Sequence, residues 1–140
     1  MARAGEEIHN PVQGDSIIFM ETAGDTNGEL MRGELVVSPR GGNPLHVHPH
    51  QEEHFEVLSG TLGVQIGQVH RSLRVGEVAT VPPGTPHRWY NESDRKEARV
   101  LGEVRPALKT ETFFETLYGL ARGGKTDENG YPTRCSSPLC

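Results

Sequence analysis

Between residues 39 and 105 the β-branched and aromatic residues arrive in short runs broken by Gly and Pro: Phe55–Leu58, Thr61–Ile66, Ser72–Val75, Val78–Val81, His87–Tyr90 and Arg99–Val104. Runs of this length between turn signals predict the antiparallel strands of a sandwich or barrel. Upstream, Ser16–Thr22 and Gly33–Ser38 read as two more strands around a Gly/Asp/Asn turn. In Leu62, Val64 and Ile66 the apolar side chains fall at alternate positions, so one face of that strand is buried. The same parity puts His87 on one face with Trp89, opposite Arg88, and pairs His46 with His48 if that stretch is extended. Only from about Thr112 to Leu120 is the spacing helical, with Phe113, Phe114, Leu117, Leu120 and Ala121 on one stripe, Thr112-x-x-Glu115 as a capping box and Gly123-Gly124 as the stop. A helix this short needs support, and it is expected on the outside of the barrel or against a second subunit. The chain therefore divides into an N-terminal arm (1–15), an all-β antiparallel barrel (16–109), a short C-terminal helix (110–122) and a flexible Gly/Pro/Ser-rich tail (123–140).

Composition sharpens this picture at a few points. A chain of 140 residues suits one domain, and 17 Gly with 10 Pro favour a turn-rich β protein. The formal charge of −5 offers no basic excess for a phosphate backbone, so no nucleic-acid partner is expected. Apolar runs such as Ile17–Met20 are far too short to span a bilayer, and Met1–Glu7 has no signal-peptide core. No membrane association and a cytoplasmic location are expected. Cys135 and Cys140 fall in the tail, cannot staple the body of the fold, and read as reduced thiols.

The histidines carry the chemistry. His46, His48, His50, His54 and His70 crowd one stretch with Glu52 and Glu53, and His87 follows. Such clusters are where metal ligands are sought. After a turn at 49–52, Glu53 shares parity with Phe55 and Val57, which are apolar enough to face inward. Glu52 is its rival. His87 opens a strand directly after Pro82-Pro83-Gly84-Thr85-Pro86, a rigid turn able to aim it at the same point. His50 and His54 have outward parity or sit in the turn, and His70 falls in a connecting, solvated segment. Phe55, Val64, Trp89 and Tyr90 are candidates for a pocket wall, although aromatic residues in a barrel are more often core.

Two stretches resemble the paired motifs of the cupin superfamily. His46, one residue, His48, four residues, Glu53, six residues, Gly60 matches the first, G-x5-H-x-H-x(3,4)-E-x6-G, except that Arg40 stands where the leading Gly belongs. With Gly41 and Gly42 following, a leading turn shifted by one residue is expected. Gly76, Pro82, Gly84, His87 and Asn91 match the second motif, G-x5-P-x-G-x2-H-x3-N, at every fixed position. The resemblance implies a small single-domain cupin, with a β-barrel of the jelly-roll type and metal ligation by His46, His48, Glu53 and His87. It further implies one divalent transition metal per chain (Fe, Mn, Cu, Ni or Zn), a small-molecule substrate and a homodimer. Three imidazoles and one carboxylate leave one or two positions open for water, dioxygen or substrate. The expected function is a metal-dependent enzyme with oxygenase-type chemistry, in which Glu53 also moves a proton. The alternatives are a non-redox isomerase, cyclase or lyase, and a non-catalytic small-molecule-binding barrel.

Overall fold

A computed structural model describes residues 2–128. Cys135, Cys140 and most of the segment read as a tail lie outside the described residues. The chain runs β1 (Glu7–Asn10), β2 (Asp15–Glu21), β3 (Met31–Val37), β4 (Glu52–Ser59), β5 (Leu62–Ile66), β6 (Val69–Leu73), β7 (Val78–Val81), β8 (His87–Tyr90), β9 (Ala98–Arg105) and α1 (Thr110–Arg122). Six strands form one sheet in the order β1-β2-β3-β9-β4-β7, and three form a second in the order β6-β5-β8. The strand pairs in both sheets are antiparallel, and the architecture is the jelly roll expected from the sequence. No helix among the described residues is long and apolar enough to cross a membrane.

Alternation places the core. Along β3, Met31, Gly33, Leu35 and Val37 are buried while their neighbours are half-buried, and Ile17 and Phe19 do the same on β2. Leu62 and Val64 of β5 and Val100 of β9 complete the filling between the sheets. β1 lies inside the segment read as an arm. Its composition hides it, because an edge strand that buries only Ile8 and Asn10 shows almost no apolar period. His70 is likewise in a strand, β6, opposite Gln65, although it is exposed as expected.

The leading turn is not shifted. Arg40 itself adopts the left-handed conformation (φ 61°) that the motif glycine would supply. Gly41 meets a different demand, since a Cβ there would lie 2.6 Å from the Gly14 carbonyl oxygen. The motif residue Asn91 is buried, its Nδ2 donating to the carbonyls of Val37 (3.1 Å) and Lys96 (2.7 Å), so it ties the end of β3 to the β8–β9 loop.

Helix α1 begins two residues before the expected capping box. Lys109 is its N-cap and makes no side-chain capping bond. The start is fixed from outside: Gln51 Nε2 donates to Thr110 Oγ1 (2.6 Å) and to the carbonyls of Pro106 and Ala107. Glu111 also accepts from the Ala23 N–H at 3.1 Å. The buried stripe is Thr110, Tyr118 and Ala121, with Phe114 and Leu117 packed against the core. Phe114 and Leu117 of the apolar stripe are thus partly covered within the chain, whereas Phe113 is exposed.

Candidate metal centre

Four side chains from three segments converge. His46 and His87 form an isolated antiparallel bridge, with His46 N–H donating to the His87 carbonyl (3.0 Å) and His87 N–H to the His46 carbonyl (2.9 Å). The bridge lays the segment at 46–48 alongside β8. Gly84 N–H then donates to the His48 carbonyl (2.9 Å), so the proline-rich turn clamps the same segment. Glu53 comes from β4, paired with Val81 and Val104. One potential ligand atom from each of His46, His48, Glu53 and His87 lies within 4.8 Å of every other.

Parity separated the candidates as the sequence suggested. Glu53 is buried and Glu52 exposed; His50 is exposed, and His54 turns to the other face, where its Nδ1 is 2.9 Å from Thr80 Oγ1. None of these joins the cluster.

The donor atoms are prepared from behind. Nδ1 of His46 lies 2.7 Å from the Pro44 carbonyl and Nδ1 of His87 lies 2.9 Å from the Thr85 carbonyl. A carbonyl only accepts, so each ring carries its proton on Nδ1 and turns Nε2 inward. His87 Nε2 is 2.8 Å and His48 Nε2 3.3 Å from the same Glu53 Oε2. The His48 nitrogen is buried and lies without a hydrogen-bond partner, because the approach to Glu53 has the distance but not the direction of a hydrogen bond.

Electrostatics follow from this crowding. Burial pushes the Glu53 carboxyl up, but the imidazoles of His48 and His87 outweigh it and hold it below the usual carboxyl range. Burial lowers His87, yet its contact with Glu53 prevails and raises it. His46 has no such direct contact: burial, reinforced by the neighbouring His87, lowers it to about 4, so it is a neutral donor at physiological pH. An imidazole with Nδ1 already protonated can face a carboxylate at 2.8 Å only if a cation, a proton or a metal, lies between them. Separations of 2.8 and 3.3 Å also match adjacent ligands of one ion, about 3 Å apart for metal–ligand bonds of about 2.1 Å. The residues present fit a divalent transition metal.

The cluster opens on a cavity of about 160 Å³, with His46 and Glu53 in its wall beside Phe55, Trp89, Phe113 and Phe114. A second recess of about 330 Å³ reaches His46 and His48 past Phe113 and Lys109. Phe55 and Trp89 line the cavity and belong to the buried core as well. Tyr90 and Val64 do not line it: Tyr90 covers Gly63 with Arg88 stacked on it at 4.9 Å, and Val64 is core. Sequence reading missed a further polar group in this wall, Gln13 and Tyr118 with Asp15 behind them. A signal existed, because Tyr118 follows Phe114 by four residues and precedes Ala121 by three, on the buried stripe.

Comparison with known proteins agrees with this geometry. An oxidoreductase of Arthrobotrys oligospora is 36% identical over 84 residues, covering 54% of this chain and 33% of its own. Quercetin 2,3-dioxygenase of Bacillus subtilis is 31% identical over 83 residues, covering 59% of this chain and 25% of the enzyme. The chain thus spans a third or less of the length of these two curated relatives. A solved RmlC-like cupin from Shewanella frigidimarina superposes with a TM-score of 0.64 at 19% identity, over 74% of this chain and 86% of that one, and shares the fold. The cupin-domain family model matches residues 33–102, half of the chain and both histidine-bearing motifs. By that match, the chain belongs to the cupin family.

Proposed function

We propose that the chain is a metal-dependent cupin enzyme that acts on a small organic molecule by oxygenase-type chemistry, with His46, His48, Glu53 and His87 as metal ligands. The observation that carries this reading is the buried, partnerless Nε2 of His48, turned with His87 Nε2 toward one Glu53 oxygen. Unsatisfied buried nitrogen is costly, and a metal satisfies it. Three imidazoles and one carboxylate suit Fe, Mn, Cu, Ni or Zn rather than Mg or Ca.

A divalent transition metal there supplies Lewis-acid polarisation of a bound substrate oxygen and, when redox-active, a route for electrons to dioxygen. The chain's own residues do the rest. Phe55, Trp89 and Phe114 exclude water and orient an apolar substrate beside His46 and Glu53. Glu53, held ionised by its neighbours, accepts a hydrogen bond from a substrate hydroxyl that approaches the cluster and, as a weak base, takes its proton only when that hydroxyl is made acidic. Similarity to proteins named oxidoreductase and quercetin 2,3-dioxygenase favours oxygen chemistry over isomerisation.

The test is elemental analysis of the dialysed protein beside a His46→Ala/His87→Ala variant, followed by oxygen-uptake assays of the loaded protein with electron-rich phenols and diketones. About one iron, copper or manganese per chain, lost in the variant, with oxygen uptake, is the expected result. Zinc or nickel with no oxygen uptake would move the reading to non-redox catalysis. No metal in either protein after reconstitution would sink it.

A further inference from the structure

Apart from the histidine–glutamate cluster, the cavity contains a second buried polar group. Gln13 and Tyr118 belong to its wall, whereas Asp15 at the start of β2 does not. Asp15 stands behind both and receives both: the Tyr118 hydroxyl donates to its Oδ2 and Gln13 Nε2 donates to its Oδ1 at 3.0 Å. Asp15 is 1% exposed and Tyr118 1% exposed. Among the described residues no Lys, Arg or His pairs with this carboxylate. The group is built from other elements than the metal cluster, β2 and α1 rather than β4 and β8, although Glu53 in the same wall is close enough to act on Tyr118 electrostatically.

The direction of these hydrogen bonds determines what the wall can offer a ligand. An ionised carboxylate only accepts, so it draws the Tyr118 proton and one Gln13 amide proton toward itself. The amide oxygen Oε1 of Gln13 is left as an acceptor, and the phenol oxygen of Tyr118, toward which the Gln13 amide also donates, keeps one lone pair for a ligand. Around them the wall is apolar, built from Ile17, Leu35, Phe55, Trp89, Phe114 and Leu117. A buried acceptor in an apolar wall discriminates strongly, because a ligand without a donor leaves it unpaired.

We infer that Tyr118, with Gln13 beside it and Asp15 fixing its polarity, is a specificity-determining contact that accepts a hydrogen bond from a hydroxyl group on an otherwise apolar ligand. This rests on the cavity being the substrate site, as proposed above, but not on the metal. It also differs from a purely structural clamp of α1 onto β2, which would hold the helix without reading the ligand.

The experiment uses the full chain stripped of metal by dialysis against EDTA, with two probes of one ring system, 2-naphthol and 2-methoxynaphthalene. The first carries a hydroxyl donor; the second caps the same oxygen with a methyl group. Binding is followed by quenching of Trp89, the chain's one tryptophan and a wall residue. The naphthol is expected to bind about tenfold tighter, and Tyr118→Phe to narrow that preference to within about twofold by weakening naphthol alone. Asp15→Leu, which removes the acceptor and frees the Tyr118 hydroxyl to donate to the oxygen of either probe, narrows it as well, and carries the test if Tyr118→Phe does not fold. Equal affinities in the parent, or an equal loss of both probes in Tyr118→Phe, would overturn the inference and leave a structural clamp. Binding of neither probe would overturn it together with the substrate-site reading. An intact preference in a chain that takes up no metal would sustain it while the metalloenzyme reading failed.

Discussion

Two carboxyl groups in this barrel are buried to a similar degree and behave in opposite ways. Asp15 is 1% and Glu53 6% exposed. Burial raises Asp15 to about 6, and hydrogen bonds from Tyr118 and Gln13 only partly offset it. The same burial raises Glu53, but His48 and His87 more than reverse it. Neutral donors soften the desolvation of a carboxylate, whereas groups able to carry positive charge overcome it. Depth alone therefore says little about a buried acid. Its partners decide whether it awaits a cation, as at the candidate metal centre, or orients neighbouring dipoles, as beneath Tyr118.

The largest effect expected from breaking this contrast is at Glu53. Glu53→Gln keeps the volume and removes the anion from the proposed set of four ligands, and should weaken metal affinity at least about a hundredfold, since losing even an outer-shell partner costs ten- to a hundredfold. Glu52→Gln, one residue away on the exposed face, should leave affinity unchanged. Competition titration against a chromophoric chelator measures both, and equal losses would refute the assignment by strand parity.

Next in size is the pH dependence of stability. Between about pH 4 and 6 the folded chain holds a proton on Asp15 that the unfolded chain has released, so stability falls as pH rises through this window. Above it the full cost remains, on the order of 3 kcal/mol for a rise from 3.8 to about 6. Asp15→Asn removes the term, so the parent should lose stability relative to this variant between pH 4 and pH 7.5. Glu53 has the opposite sign: its contribution is present above the ordinary glutamate value and is lost as pH falls through its lower folded value. Glu53→Gln should therefore blunt acid destabilisation while Asp15→Asn leaves it intact. Urea midpoints of the metal-free chains at a series of pH values separate the two. A parent-minus-Asp15→Asn difference that does not change with pH would show that Asp15 has no raised value.

The two sites were not equally legible in the sequence. His46, His48, Glu53 and His87 were found because strand parity and loop spacing are local properties, and each side chain lies close to a Pro or Gly turn that aims it. The convergence of three segments rests on the proline-rich turn that aims His87 and on the motif resemblance, since no local pattern contains the His46–His87 bridge. The Asp15–Tyr118 pair joins β2 to α1, 103 residues apart. Asp15 falls in the segment read as an arm, and the stripe read from the sequence does not include Tyr118. Whether a polar residue is buried depends on what packs over it, and for Asp15 that is α1, held at its start by bonds from Gln51 and to Ala23 that lie outside the helix's own sequence pattern. β1 was missed for a related reason, because an edge strand with one packed face needs little apolar sequence.

The smallest effect tests the departure from the motif at Arg40, in the turn that leads toward His46. A left-handed φ costs a side-chain-bearing residue about 1–2 kcal/mol relative to glycine. Arg40 bears that cost with only a long, exposed approach to Asp94 (3.5 Å) in return. Arg40→Gly relieves the strain but adds freedom to the unfolded chain, roughly 0.5–1 kcal/mol. The net gain should be below about 1 kcal/mol, a rise of a few degrees in melting temperature for a chain of this size. Arg40→Val, β-branched and poorly suited to positive φ, should instead lose about 1 kcal/mol or more. Metal affinity should be the same in both variants, because His46 is held by its bridge to His87 and by the Pro44 carbonyl rather than by the turn. A change in affinity that tracks the stability change would show that the turn, and not the bridge, positions the first ligand.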